Sequence, residues 1–265
     1  MYIRHEILAQ LRAMQAPQDS IVLMHCSLRS VGPVEGGAEA LLDTLIDYFT
    51  AKGGLFCIPT HTWNNIGKNK PTLDLTVAES NLGYLTTLAA GDPRAVRTDN
   101  PCHSMAVFGE RARAERFAAG EDRIETPIAP ESCYGKICEM GGRILLCGVG
   151  QERNTYLHTV EEIVGIPERM LKEFSPLTVR KKDGSVETRH LRLFNEVNGD
   201  VSLRFPKYET AFRYHRAITD GYIGNAPAQL CNARIMRDVV EMIYKNGGKD
   251  PLADERQIAP ALYCK

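Results

Sequence analysis

Residues 20–60, SIVLMHCSLRSVGPVEGGAEALLDTLIDYFTAKGGLFCIPT, decide the fold class. Ser20 to Met24 is a short apolar run and reads as a buried strand, feeding a polar loop from His25 to Gly32. After Gly36 and Gly37, the stretch from Ala38 to Thr50 places Leu41, Leu45, Ile46 and Phe49 on one helical face, and Gly53 with Gly54 closes it. Leu55 to Ile58 is a second apolar run, ending at Pro59. A strand, a helix and a strand in that order imply a crossover unit with parallel pairing.

Outward from this unit, Ile7 to Met14 has helical apolar spacing and stops before Pro17. Residues 60–82 are polar and irregular and hold Trp63, the sole tryptophan; loops of that length usually bind something or are disordered. A short helix is expected over Gly83 to Ala90, strands over Met105 to Phe108 and Gly142 to Gly148, and a helix from about Asn154. From Leu177 to Leu193 the pattern changes. Val179 and Val186 flank Asp183-Gly184, a hairpin turn signal. The remainder reads as a helix from Lys207 to Thr219, an extended stretch from Gly221 to Ala226, and a helix from about Ala233 to Tyr244 capped by Asn232. The expected class is α/β: one domain over residues 1–265, a mixed central sheet flanked by helices, with an antiparallel hairpin inserted at about 177–193.

The chain has 265 residues, 43% hydrophobic and 25% charged, as an ordinary globular protein does. A formal net charge of -1, with both signs interspersed, gives no field that draws phosphate backbones or anionic lipid, so neither nucleic acid nor membrane is an expected partner. The first twenty residues carry charge throughout and lack the pattern of a secretory signal, and no apolar run reaches the length of a membrane span. A cytoplasmic protein, monomeric or homodimeric, is expected. Eight dispersed cysteines without a C-x-x-C pair read as reduced, mostly buried thiols.

Two stretches carry chemistry. The loop after the first strand gathers His25, Cys26, Ser27, Arg29 and Ser30 ahead of glycines and a helix, a set that suits a phosphate-bearing ligand or an ordinary structural turn. It matches neither the P-loop nor the G-x-G-x-x-G spacing. The second stretch runs from Gly148 to Glu162 directly after a buried strand. Its His158 and Glu161 share a helical face, so the carboxylate can orient the imidazole as a base, and the Thr155 hydroxyl one turn earlier can donate to an oxyanion. A capped helix start followed by a solvated His and Glu fits the same letters.

At these two stretches the chain resembles the aminoglycoside 3-N-acetyltransferase family, whose members carry H-S-S-L-R-S-L/V-G and, later, G-V-G-x-x-x-N-T-x-L-H-x-x-E. Three further segments agree in order: Gly36-Gly37 with Leu55 to Thr60, Arg97 to Ser104 for the family's R-S-x-H-P-x-x-S, and Gly135-Lys136 before Gly141-Gly142. The resemblance spans about residues 20 to 245. It implies acetyl-CoA as co-substrate, with no metal, held by His25, Ser27, Leu28, Arg29, Ser30 and Val31 with Arg97 and Ser104 nearby. It also implies His158 as the base of direct transfer to an amine, Glu161 as its partner and Thr155 beside it. Trp63, His61 and Asn64 are expected to line the acceptor pocket, and Glu162 to contact an ammonium group. Cys26, Thr98, Asn100 and Gln151 depart from the family's letters, and these departures are expected around the CoA groove.

Three other readings use the same residues. Cys26 as the nucleophile of a thiol hydrolase would need His25 or His158 beside it, yet consecutive side chains on an extended segment point oppositely. A metal centre from His25, His61, His103 and His158, with Asp99, has no H-x-H or H-E-x-x-H spacing behind it. A CoA-binding regulatory protein without turnover would have no reason to keep Thr155, His158 and Glu161 together.

Overall fold

The computed structural model describes residues 1–197 and 199–264. In chain order the elements are α1 (Arg4–Ala13), β1 (Ile21–Cys26), α2 (Leu28–Val31), α3 (Gly37–Thr50), β2 (Leu55–Pro59), β3 (Leu73–Asp74), α4 (Tyr84–Gly91), β4 (Val96–Arg97) and β5 (Met105–Phe108). There follow α5 (Arg111–Ala118), α6 (Cys133–Glu139), β6 (Arg143–Cys147), α7 (Tyr156–Val164), β7 (Met170–Arg180), β8 (Val186–Phe194), α8 (Glu209–Tyr214), β9 (Ile218–Ile223), β10 (Ala226–Asn232) and α9 (Ala233–Gly247).

A seven-stranded mixed sheet has the order β4-β5-β2-β1-β6-β10-β9, and a three-stranded sheet has the order β3-β7-β8. The crossover expected from residues 20–60 is present: β1 and β2 pair in parallel with Ile21 opposite Leu55 and Leu23 opposite Cys57. β6 adds to the other side of β1, also in parallel. Each of these central strands is buried on both faces, and the period of two divides the core accordingly. Ile21, Leu23, Leu55, Cys57, Ile144 and Leu146 meet α5, α6, α7 and α9. Val22, Met24, Phe56, Ile58 and Leu145 meet α1, α3 and α4 on the opposite face.

Four expectations are corrected. His25 and Cys26 belong to β1 rather than to the loop, and the loop itself winds into α2, capped where Ser27 Oγ accepts from Ser30 N at 3.3 Å. The inserted hairpin is longer than 177–193: β7 starts at Met170 and an irregularity between Met170 and Phe174 shifts its register against β8. The helix expected over Lys207 to Thr219 breaks. Pro206 lies in a 3-10 segment, Val201–Tyr208, only Glu209–Tyr214 is α-helical, and Ile218 opens a strand. Gly221 to Ala226 is the middle of a β9–β10 hairpin, whose two-residue turn puts Gly224 at φ 60°.

Gly135 lies inside α6, where alanine would ordinarily favour a helix by about 1 kcal/mol. Here a Cβ would stand 1.8 Å from the Pro130 carbonyl oxygen, so the glycine sets how closely α6 packs on the preceding loop. Gly135→Ala is therefore expected to destabilise the fold by about 2–3 kcal/mol. Urea unfolding checks this, and an unchanged or higher midpoint would show that α6 moves off Pro130 without cost.

Candidate active site

Because β1, β2 and β6 run parallel, their carboxyl ends share one edge of the sheet, the edge at which open α/β sheets place ligands. β5 runs antiparallel to β2 with Met105 opposite Pro59, so the residues just before β5 reach the same edge. His25 arrives there on β1, His61 after β2, His103 before β5, and His158 in the first turn of α7 after β6.

The rings form a continuous series. His61 lies 4.7 Å from Trp63 and 4.4 Å from His103, centroid to centroid; His103 lies 5.3 Å from Phe194; His158 packs at 4.6 Å on Phe194 and 4.8 Å on Phe205. Burial disfavours the imidazolium throughout. It takes His25 and His158 down to about 4 and His103 to about 3, while His61, buried beside three other imidazoles, falls well below its usual range. The cluster is neutral at pH 7. His61 Nε2 is 2.5 Å from the Tyr134 hydroxyl, and His103 Nδ1 is 3.3 Å from Cys102 Sγ. Neither nitrogen of His158 is engaged among the described residues, and the same holds for His25, whose Nε2 is buried without a partner.

Glu161 does not meet the imidazole as expected. It is fully buried, and its carboxylate accepts a two-pronged pair of bonds from Arg169, at 2.8 Å from Nε and 2.9 Å from an outer nitrogen. Arg169 also donates to both oxygens of Asp250, at 2.8 and 2.9 Å. Burial pushes the Glu161 carboxyl up to about 7, with Arg169 opposing that rise. The Glu161–Arg169–Asp250 chain ties α7 to the start of β7 and to the segment after α9, and so fixes the helix that carries His158. Thr155, at the N-terminus of α7, has a hydroxyl with no partner among the described residues.

On α2 the Ser27 and Ser30 hydroxyls are 2.8 Å apart, Arg29 is exposed and without an ion-pair partner among the described residues, Leu28 is partly buried and Val31 is fully buried. Arg97 and Ser104 are interior. Arg97 donates to Ser104 Oγ at 3.2 Å, and Ser104 donates to the Thr60 carbonyl at 2.9 Å, which locks β4 and β5 to the end of β2. The departures at Thr98, Asn100 and Gln151 are interior too: Asn100 donates to Glu121 and Pro127, and Gln151 to Gln229. They shape the core rather than line a groove.

Trp63, 37% exposed, opens a 3-10 turn beside exposed Asn64, while His61 is buried beneath the tryptophan ring. Glu162 accepts from the Thr126 hydroxyl at 2.8 Å. Among the described residues no group of three or more His, Cys, Asp or Glu side chains is placed to hold a metal ion, although the four histidines do converge. Phe194, Phe205, Arg169 and Asp250 were not legible as site residues, because each reaches the site from a distant part of the chain.

The geometry defines an α/β enzyme with a neutral histidine at the carboxyl edge of its sheet, and comparison with known proteins agrees. The family model described as aminoglycoside 3-N-acetyltransferase matches residues 23–245. The chain belongs to this family of acyltransferases. It is 28% identical to aminoglycoside N(3)-acetyltransferase VII of Streptomyces paromomycinus, over 90% of this chain and 88% of that one. It is 25% identical to aminoglycoside N(3)-acetyltransferase IV of Salmonella sp, over 93% and 88%. Two solved structures share the fold with a TM-score of 0.78: a variant of aminoglycoside acetyltransferase AAC(3)-IVa in complex with gentamicin, 23% identical over 100% of this chain and 94% of that one, and AAC-IIIb with CoASH, 21% identical over 92% and 96%.

Two outcomes follow. Arg169→Met strands the buried Glu161 carboxyl and is expected to cost about 3–5 kcal/mol in urea unfolding; a loss within experimental error would mean that Glu161 is satisfied without it. The depressed histidines set an acid dependence of stability. Unfolded histidines titrate near about 6.5, so between that pH and about 4 the unfolded chain binds more protons. Stability is expected to be fully present above that window and to fall as pH is lowered through it, less steeply in His103→Gln. Identical slopes for the two proteins would remove His103 from this account.

Proposed function

We propose that the protein transfers the acetyl group of acetyl-CoA to an amine of an aminoglycoside or a related amino sugar or polyamine, by direct attack with His158 as general base. One observation carries the reading: a neutral imidazole with both nitrogens unengaged among the described residues, clamped between Phe194 and Phe205 at the ligand edge of the sheet. As the amine nitrogen attacks the thioester carbon, His158 takes the amine proton. The Thr155 hydroxyl is one turn away for the developing oxyanion, and collapse expels the CoA thiolate. Glu161 acts through Arg169 by holding α7 in place.

The turn from Ser27 to Val31, with two hydroxyls and an exposed guanidinium, suits the phosphates of CoA. Arg97 and Ser104 tie β4 and β5 to the end of β2 at the same edge of the sheet, and His25 lies on β1 just before the turn. Trp63 and Asn64 form the exposed wall of the acceptor side, with His61 supporting the tryptophan and Glu162 within reach of an ammonium group. The CoA complex and the gentamicin complex of the two structural relatives support donor and acceptor classes. All eight thiols are free, which suits the reducing cytoplasm.

His158→Ala is expected to abolish thiol release from acetyl-CoA in the presence of an accepted amine while leaving acetyl-CoA binding intact; unchanged turnover would remove His158 from the mechanism. The pH profile is equally specific. With His158 near 4, kcat/KM should lose its base only below about that pH and should rise above neutrality as the amine, with a pKa of about 10, deprotonates. A limb near about 6.5 in the profile of the unaltered protein would place the imidazole in a wetter setting.

A further inference from the structure

Cys26 is the residue of the Ser27 turn that this function leaves unused, and it is not alone. On the adjacent parallel strand its register partner is Cys147, so the two side chains leave the same face of the sheet, the face packed on α1 and α3. That is the face opposite to His25, which disposes of a His25–Cys26 nucleophile. The neighbouring Cys26 thiol, together with burial, holds the Cys147 thiol well above its usual range. Cys147 is fully buried, whereas Cys26 is part exposed at the strand end. Each is followed directly by a residue of the α2 turn contact: Ser27 N donates to the Cys147 carbonyl at 2.9 Å, and Ser30 Oγ to the Gly148 carbonyl at 3.4 Å.

We infer that Cys26 and Cys147 form a thiol–disulfide exchange site that reacts with low-molecular-weight disulfides and, when closed, shuts the acetyl-CoA turn. The second half rests on the proposed function; the first does not. In the first step the Cys26 thiolate attacks a disulfide RSSR, forming a Cys26–SR bond and expelling RS⁻. In the second, Cys147 loses its proton and attacks Cys26 Sγ, closing the protein disulfide and expelling the second RS⁻. In sum, two protein thiols and one RSSR give one protein disulfide and two RSH. Neighbouring strands lie about 4.8 Å apart, inside the Cα separation of about 4.4–6.8 Å that a disulfide spans, so the bond can close once the two side chains turn toward each other. That turn displaces the residues that follow each thiol, Ser27 and Gly148, which carry the α2 turn contacts.

The test uses the intact protein with the disulfide of CoA and, in parallel, oxidised glutathione; exposed Cys264 serves as an internal gauge of exchange. Peptide mapping should find a Cys26–Cys147 cross-link, reversed by dithiothreitol and absent from Cys26→Ser and Cys147→Ser. Calorimetry should find acetyl-CoA binding weakened at least about tenfold in the cross-linked form, with both serine variants insensitive to the disulfides. Modification of Cys264 without a Cys26–Cys147 link, or a mixed disulfide that stays on Cys26, overturns the exchange site. A cross-link that leaves acetyl-CoA affinity unchanged overturns the gating. Reduced protein that binds no acetyl-CoA at all counts against the proposed function, while the mapping still decides the thiol chemistry.

Discussion

Everything at the site depends on the parallel alignment of β2, β1 and β6. Strands that run in one direction must release their chain at the same edge, so three separate stretches deliver His25 with Cys26, Thr60 with His61, and Cys147 with Gly148 within a few strand widths. The antiparallel partners complete the set by starting where the parallel strands end, which brings His103 in on the approach to β5. If this alignment were lost, the histidines would have no common surface.

The second constraint is dryness. The imidazoles and their aromatic neighbours exclude water, and exclusion keeps all four neutral. A neutral histidine is what an amine attack needs, but the same burial makes it a weaker base than an exposed one. Phe194 and Phe205, packed on His158, are part of that burial, and no carboxylate among the described residues hydrogen-bonds its ring. The nearby carboxylate, Glu161, pairs with Arg169 instead and so anchors α7.

Much of the fold was legible in residues 20–60, because a strand buried on both faces and a helix with one apolar face leave different periodicities. The hairpin turn at Asp183-Gly184 was legible for a similar local reason, whereas its length was not, since Met170 to Ser175 carry no clean alternation. The β9–β10 hairpin had a signal in Gly224-Asn225 between extended runs, but a helical reading of Lys207 to Thr219 overran it; Pro206 and the left-handed Arg216 end that helix.

By itself the sequence determined the α/β class, the crossover unit and the family resemblance, all of which rest on short-range patterns or on motifs in colinear order. Only the tertiary structure decided what the side chains meet. It sent Glu161 to Arg169, turned Arg97 and Ser104 inward, surrounded His158 with Phe194 and Phe205, and set Cys26 against Cys147. Spacing along a chain tells which face a residue shares with its neighbours. Which partner waits on that face depends on strands and helices far away in sequence, brought there by burial of the core.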